Sequence, residues 1–209
     1  MIKEITSRNN SLIVDLIKLK QKKYRKERGL ALIEGERFVA EMAQRGVEFE
    51  YLLFNEKPDI NINCTLIKCN DEVLSALAQT VTPSNVVGVV KVKKYPFMPP
   101  STNFLILDHI QDPGNLGTII RTALAFNFRY IYLYNCVDYT NDKVLRSTMG
   151  TIADVALVEC GIAELRELAK FPIYSADLKG ENFNNIQSKN ICGLILGNEA
   201  NGISAEIAN

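Results

Sequence analysis

Two polar side chains set six positions apart, Asn115 and Arg121, lie in the stretch PGNLGTIIRTA (Pro113 to Ala123), beside two glycines at what reads as a helix start. A helix start with polar groups and glycines first suggests a phosphate-binding loop. A dinucleotide site, however, needs G-x-G-x-x-G, and a nucleoside-triphosphate loop needs G-x-x-x-x-G-K-[ST]. Gly114 and Gly117 are three apart with no third glycine, and Thr118 follows Gly117 with no lysine in the segment. The nucleotide readings, including an oxidoreductase with a dinucleotide-binding domain, lack their specific residues.

A second polar loop, LILGNEANGIS (Leu194 to Ser204), ends an apolar run with Gly197 and Gly202 bracketing Asn198, Glu199 and Asn201. Glycines there permit close backbone approach or positive φ, and a plain strand-to-helix turn with Ser204 as N-cap fits equally. For the first loop the plain reading is a capped helix, with Asp112 or Asn115 as cap, Pro113 in the first turn and Arg121 solvated. A third cluster, KLKQKKYRKER (residues 18–28), carries seven cations, one acid and Tyr24. It suits either a solvated helix face or a phosphate-backbone footprint with base stacking.

Other chemistries lack their parts. Five scattered cysteines without C-x-x-C spacing argue against a disulfide framework and a zinc site, leaving reduced, mostly buried thiols. His109, the single histidine, builds no metal cluster or Ser-His-Asp triad alone and reads as a loop residue after a strand. No apolar run reaches bilayer length and the N-terminus has no signal-peptide core, so a cytoplasmic protein is expected, with no membrane and no metal partner. The chain carries 16 basic against 12 acidic residues over 1–97 and 8 against 12 over 98–209, an asymmetry pointing to nucleic acid at the front half.

The elements that must position these residues fall into two sets. Three of the seven prolines crowd KKYPFMPPSTN (Lys93 to Asn103), which places a linker there and divides the chain into 1–97 and 98–209. The first part reads as a small α/β domain. It has a helix over Asn10–Glu27, a strand at LALIEG, a helix over Arg37–Arg45, a strand at FEYLLFN, a helix near DEVLSALAQ and a strand at VVGVVKV. The second alternates NFLILD, a helix over Gly114–Phe126, YIYLY, a helix over Asp142–Met149, DVALVE, IAELRELAK, PIYSAD and ICGLILG, which predicts a parallel sheet covered by helices. Ligands of such sheets sit at the C-terminal strand ends, so LDHIQDPGN, RSTMGT and LGNEANGIS are expected to converge.

Together these segments resemble the SpoU family of RNA ribose methyltransferases, in the SPOUT superfamily of knotted α/β enzymes. DPGNLGTIIRTA is similar to the family's first motif, KVLRSTMGT (Lys143 to Thr151) to its intermediate R-[AS]-[ST]-x-G element, and LILGNEANGIS to its second motif. The front part, with Asn9, KKYR and IEG (Ile33 to Gly35) in register, resembles the substrate-binding domain that often precedes such enzymes, an RNA-binding fold akin to small ribosomal proteins.

The resemblance implies methyl transfer from S-adenosylmethionine to a ribose 2′-hydroxyl, on ribosomal RNA ahead of transfer RNA, by a homodimer when complete. It places Arg121 and Asn115 in the catalytic step, and Leu196, Gly197, Asn198, Glu199 and Gly202 at the cofactor. It places Asn9, Lys22, Lys23, Tyr24, Arg25 and Arg146 on RNA. Family resemblance makes the arginine at position 121 the proton acceptor, yet arginine is effectively always protonated. Two roles stay open, a strongly perturbed base or an electrostatic hold on the adjacent phosphate and the developing alkoxide. The resemblance also implies a third motif that completes the cofactor pocket and the trefoil knot. The sequence ends at ISAEIAN, before that motif, so the expectation is a C-terminally truncated methyltransferase domain with an incomplete knot. The alternative is an RNA-binding protein or fragment without catalysis.

Overall fold

The computed structural model describes residues 2–176, 180 and 190–208. The chain forms two compact units, Met1–Lys93 with Thr140–Ala153, and Lys94–Tyr139 with Asp154–Asn209. The division does not follow a single cut between residues 97 and 98, because the stretch carrying RSTMGT belongs to the first unit.

The first unit runs β1 (Ile2–Ile5), α1 (Ser11–Ile17), a 3-10 turn (Lys18–Lys20), α2 (Lys22–Arg28), β2 (Leu30–Glu34) and α3 (Glu36–Gln44), then β3 (Phe49–Phe54), β4 (Thr65–Cys69), α4 (Asp71–Leu77) and β5 (Val86–Lys91). Its sheet has the order β1-β4-β3-β5-β2, with β1, β4 and β3 parallel and β5 antiparallel to both neighbours. Ile13, Leu16 and Leu19 pack against Leu30, Leu32, Leu53, Ile67, Val87 and Val89. Each such side chain contributes roughly 1.5–3 kcal/mol when fully buried.

The single helix expected over Asn10–Glu27 is broken. Gln21 is extended at φ −99°, ψ 134°, between the 3-10 turn and α2. A continuous 3.6-residue repeat from Ile13 and Leu16 would turn Lys20 inward, whereas tightening to a 3-10 turn brings Leu19 in instead, fully buried. The carbonyls of Leu19 and Lys20 accept from Arg25 Nη1 at 3.0 and 2.8 Å, and Arg25 Nε donates to Thr140 Oγ1 at 3.0 Å. Arg25 is 5% exposed. It corrects the expectation of an RNA contact: its guanidinium satisfies the backbone groups freed by the break.

Glu34, in the IEG segment, is likewise spent internally. Its carboxylate accepts from the backbone of Gln79, Thr80 and Ser84 and from Thr80 Oγ1, fixing the turn before β5. Burial opposes its ionisation, but those donors outweigh it and hold the carboxyl below its ordinary value of 4.5.

The second unit runs β6 (Phe104–Asp108), α5 (Pro113–Ala125) and β7 (Tyr130–Tyr134). The chain then passes α6 (Asp142–Ser147), which belongs to the first unit, where Leu145 packs with Val39 and Met42. It returns as β8 (Ala156–Glu159), α7 (Ile162–Arg166) with a 3-10 turn to Lys170, β9 (Ile173–Ser175), β10 (Gly193–Leu196) and α8 (Ala205–Ala208). Every described pairing is parallel, in the order β8-β7-β6-β10-β9. This is the parallel α/β sheet the alternation predicts. Asp177, the end of the expected PIYSAD strand, lies outside the described residues.

Candidate active site

In the second unit the chain order runs outward from β6 to β8 on one side and returns through β9 and β10 on the other. The crevice beyond the carboxyl ends of β6 and β10 is the switch point at which sheets of this kind bind ligands. The sheet places there the loop after β6, with the start of α5, and the loop after β10.

The first loop is built by a cap. Asp112 Oδ1 accepts from Asn115 N at 2.8 Å, and Pro113 occupies the first helical turn, where its missing N–H costs nothing. Of the two candidate caps, Asp112 does the capping, which leaves the Asn115 side chain for another partner. Its Nδ2 donates to Glu199 Oε1 at 2.8 Å, joining the two motifs across 84 positions of sequence. Arg121 is exposed on α5 and makes no hydrogen bond or ion pair among the described residues. Six helical residues set it about 9 Å along the axis and about 120° round from Asn115.

The second loop is a tight hairpin. Asn198 and Gly202 exchange backbone bonds, N to O at 2.9 and 2.8 Å, and Asn198 Oδ1 accepts from Ala200 N and Asn201 N at 3.0 and 3.1 Å. Gly202 takes φ +70°, the positive φ that one reading of the bracketing glycines anticipates. At Gly197 the close approach is to the loop itself. A Cβ there would stand 2.3 Å from Gly202 C and 2.4 Å from Ile203 N. Leu196, Gly197 and Asn198 are half-buried, while Glu199 and Gly202 are exposed.

Residues singled out for no role in the sequence tie this hairpin to the strand ends. Asp108, fully buried at the end of β6, accepts from Ser204 N at 2.5 Å and lies 2.5 Å from His109 Nδ1. The His109 carbonyl accepts from Asn198 Nδ2 at 2.9 Å, and His109 itself holds φ +57°, uncommon for a residue with a side chain. The Tyr134 hydroxyl donates to Glu206 Oε2, and that bond, ahead of burial, pushes its pKa up. The thiol of Cys136 beside them is pushed up to about 11, first by burial, so it stays protonated at neutral pH and is no nucleophile. A histidine directly after an apolar strand was the one signal in the sequence; its φ and partners were not legible there.

The residues expected on RNA belong to the first unit. Lys22, Lys23 and Asn9 are exposed, and Tyr24 is half-buried with Lys18 Nζ and Lys23 Nζ 5.9 and 5.8 Å from its ring centroid. Arg146 pairs with Asp142 at 2.7 Å within α6. No cluster of three potential metal ligands occurs, and no helix is long and apolar enough to cross a membrane, among the described residues.

A parallel α/β unit with two polar strand-end loops joined at its switch point belongs to the class of folds that bind small ligands at their carboxyl strand ends. The sequence matches the SpoU rRNA Methylase family over residues 102–209 and the MRM3-like substrate binding domain over residues 10–88. The chain belongs to the SpoU rRNA methylase family. It is 30% identical over 215 residues to the 23S rRNA (guanosine(2553)-2′-O)-methyltransferase RlmP of Bacillus subtilis, covering 99% of this chain and 86% of that protein. An uncharacterized tRNA/rRNA methyltransferase of Synechocystis is 36% identical over 165 residues, which span 72% of this chain and 60% of that protein. The AdoMet-bound rRNA methyltransferase from Sinorhizobium meliloti superposes with a TM-score of 0.86 at 26% identity, over 99% of this chain and 85% of that one.

Proposed function

We propose that this protein transfers a methyl group from S-adenosylmethionine to a ribose 2′-hydroxyl of ribosomal RNA, in the cytoplasm and as a homodimer. The observation that carries the reading is the Asn115–Glu199 bond, which ties the first and second motifs together at the switch point. The family match and the S-adenosylmethionine-bound relative support it.

The residues present fit the cofactor. The hairpin of Leu196, Gly197, Asn198, Glu199 and Gly202 offers backbone and carboxylate groups at a strand end, and Ser204 Oγ is buried there without a partner among the described residues. Those residues would hold the cofactor, which when bound supplies an electrophilic methyl group. Asn115, fixed by Glu199, orients the ribose. Arg121 is charged and solvent-facing, suited to hold the neighbouring phosphate and stabilise the oxygen as it loses its proton, rather than to accept that proton. Rate then comes mainly from alignment of hydroxyl and methyl. In the first unit, Asn9, Lys22, Lys23 and Tyr24, with Arg146, contact the RNA.

The test is transfer of labelled methyl to unmodified ribosomal RNA, with mapping of the product. Arg121→Ala should lose at least roughly a hundredfold in transfer while still binding S-adenosylmethionine. Full transfer in that variant would remove Arg121 from the reaction.

A further inference from the structure

The Asp108–His109 pair has a geometry that a loop histidine does not need. Asp108 is a fully buried carboxylate on the central strand, and such a charge is costly unless donors surround it. Its two oxygens are occupied separately, Oδ2 by Ser204 N and Oδ1 by His109 Nδ1, both at 2.5 Å. On its far side, His109 Nε2 lies 3.3 Å from Asn135 Nδ2, and the backbone carbonyl of Asn135 accepts from Gln111 Nε2 at 2.6 Å. With the Asn135 amide nitrogen turned toward Nε2, the arrangement that satisfies both contacts has Nδ1–H donating to Asp108 and Nε2 accepting from the Asn135 amide.

His109 and Asn135 both hold positive φ, at 57° and 51°, so two strand-end residues adopt a disfavoured backbone to make this chain of bonds. The ring of His109 also stands edge-on to Tyr134, with centroids 5.4 Å apart. The His109 carbonyl and the Asp108 carboxylate then grip the glycine-bracketed hairpin at both ends, at Asn198 and at Ser204.

We propose that Asp108 and His109 form a positioning clasp for the cofactor hairpin, in which His109, as an Nδ1–H tautomer, holds the Asp108 carboxylate so that it can fix Ser204 while the His109 carbonyl fixes Asn198. The clasp rests on the cofactor reading above. His109 is a positioning residue: it acts on the cofactor through Asn198 and Ser204.

Two variants separate the donor from the backbone. His109→Gly relieves the positive φ and removes the donor, whereas His109→Asn also tolerates that φ and places an amide N–H where Nδ1 stood. Losing one hydrogen bond to a buried charge corresponds to roughly tenfold to a hundredfold. His109→Gly should weaken S-adenosylmethionine binding by that factor in calorimetry, and His109→Asn should restore it to within roughly threefold.

Because His109 is the single histidine, a nitrogen spectrum of the imidazole reads its tautomer directly. The amide signals of Ala200 and Asn201 report the hairpin without any cofactor. They should move in His109→Gly and return in His109→Asn. An Nε2–H tautomer, unchanged amide signals in His109→Gly, or equal disturbance by both variants would overturn the clasp. If the unaltered protein binds no S-adenosylmethionine, the cofactor reading fails, and the tautomer and amide signals still decide whether the clasp exists.

Discussion

Replacing Gly197 by alanine isolates what the second motif contributes, because the cause of damage is steric and local. Gly197 does not hold a positive φ, so alanine meets no backbone strain there. Its Cβ would instead lie 2.3 to 2.4 Å from Gly202 C and O and Ile203 N, atoms of the hairpin backbone that no rotamer can move. Relief requires the hairpin to open, which breaks the paired Asn198 and Gly202 bonds at 2.9 and 2.8 Å. At about 0.5–1.5 kcal/mol net for each bond, the cost is about 1–3 kcal/mol. If the open hairpin does not bind, affinity for S-adenosylmethionine falls roughly 5- to 150-fold. Gly202→Ala is the matched control: it has nothing within 4 Å of a Cβ and costs only the left-handed backbone, about 1–2 kcal/mol. Calorimetry on both variants, with thermal unfolding to show the sheet intact, gives the comparison. Wild-type affinity in Gly197→Ala would refute the claim that a closed hairpin is the binding form.

Two further outcomes concern the first unit. Changing Lys22 and Lys23 together to glutamine should weaken RNA binding and lower the slope of log affinity against log salt by about 1.4, as two lost single-strand phosphate contacts would, measured by fluorescence titration at several salt concentrations; an unchanged slope would move the RNA elsewhere. Glu34 is held below 4.5 in the folded state, so its contribution to stability is present above that value and is lost as pH falls through the lower folded one. Thermal melts of Glu34→Gln should therefore lack that acid-side decline, and a parallel decline in both proteins would remove Glu34 as its source.

What could be read beforehand tracks how local the determinant is. YIYLY, NFLILD and ICGLILG are apolar runs in a parallel sheet, and each contains a strand; the first two are buried on both faces and ICGLILG on one, and an apolar run of that length marks a strand without knowledge of its neighbours. The Asp112 cap was legible to within one alternative for the same reason. The edge strand β1, IKEI, was missed: it is short and exposed, and only its pairing with β4 makes it a strand. The break at Gln21 depends on Leu19 finding the core and on Arg25 finding two carbonyls, neither of which the helical repeat encodes. The cation count of residues 18–28 therefore mixed surface lysines with one buried arginine.

The same distinction orders the candidate active-site edge. Asp108 spends its carboxylate on the Ser204 N–H and the His109 ring, and Asp112 Oδ1 accepts from the first turn of α5, so both acids hold the loops in place. At the surface of this edge stand the Asn115 amide, the Glu199 carboxylate and the Arg121 guanidinium, carried on the capped helix α5 and on the hairpin that Asp108 holds. On the proposed reading, an arginine that keeps its charge gains its effect from where it stands, since it has no proton to accept and none it readily gives. Loosening the buried ties should thus lower transfer with Arg121 still present, and lysine at position 121, a point charge without the planar fork, should recover only part of what arginine provides.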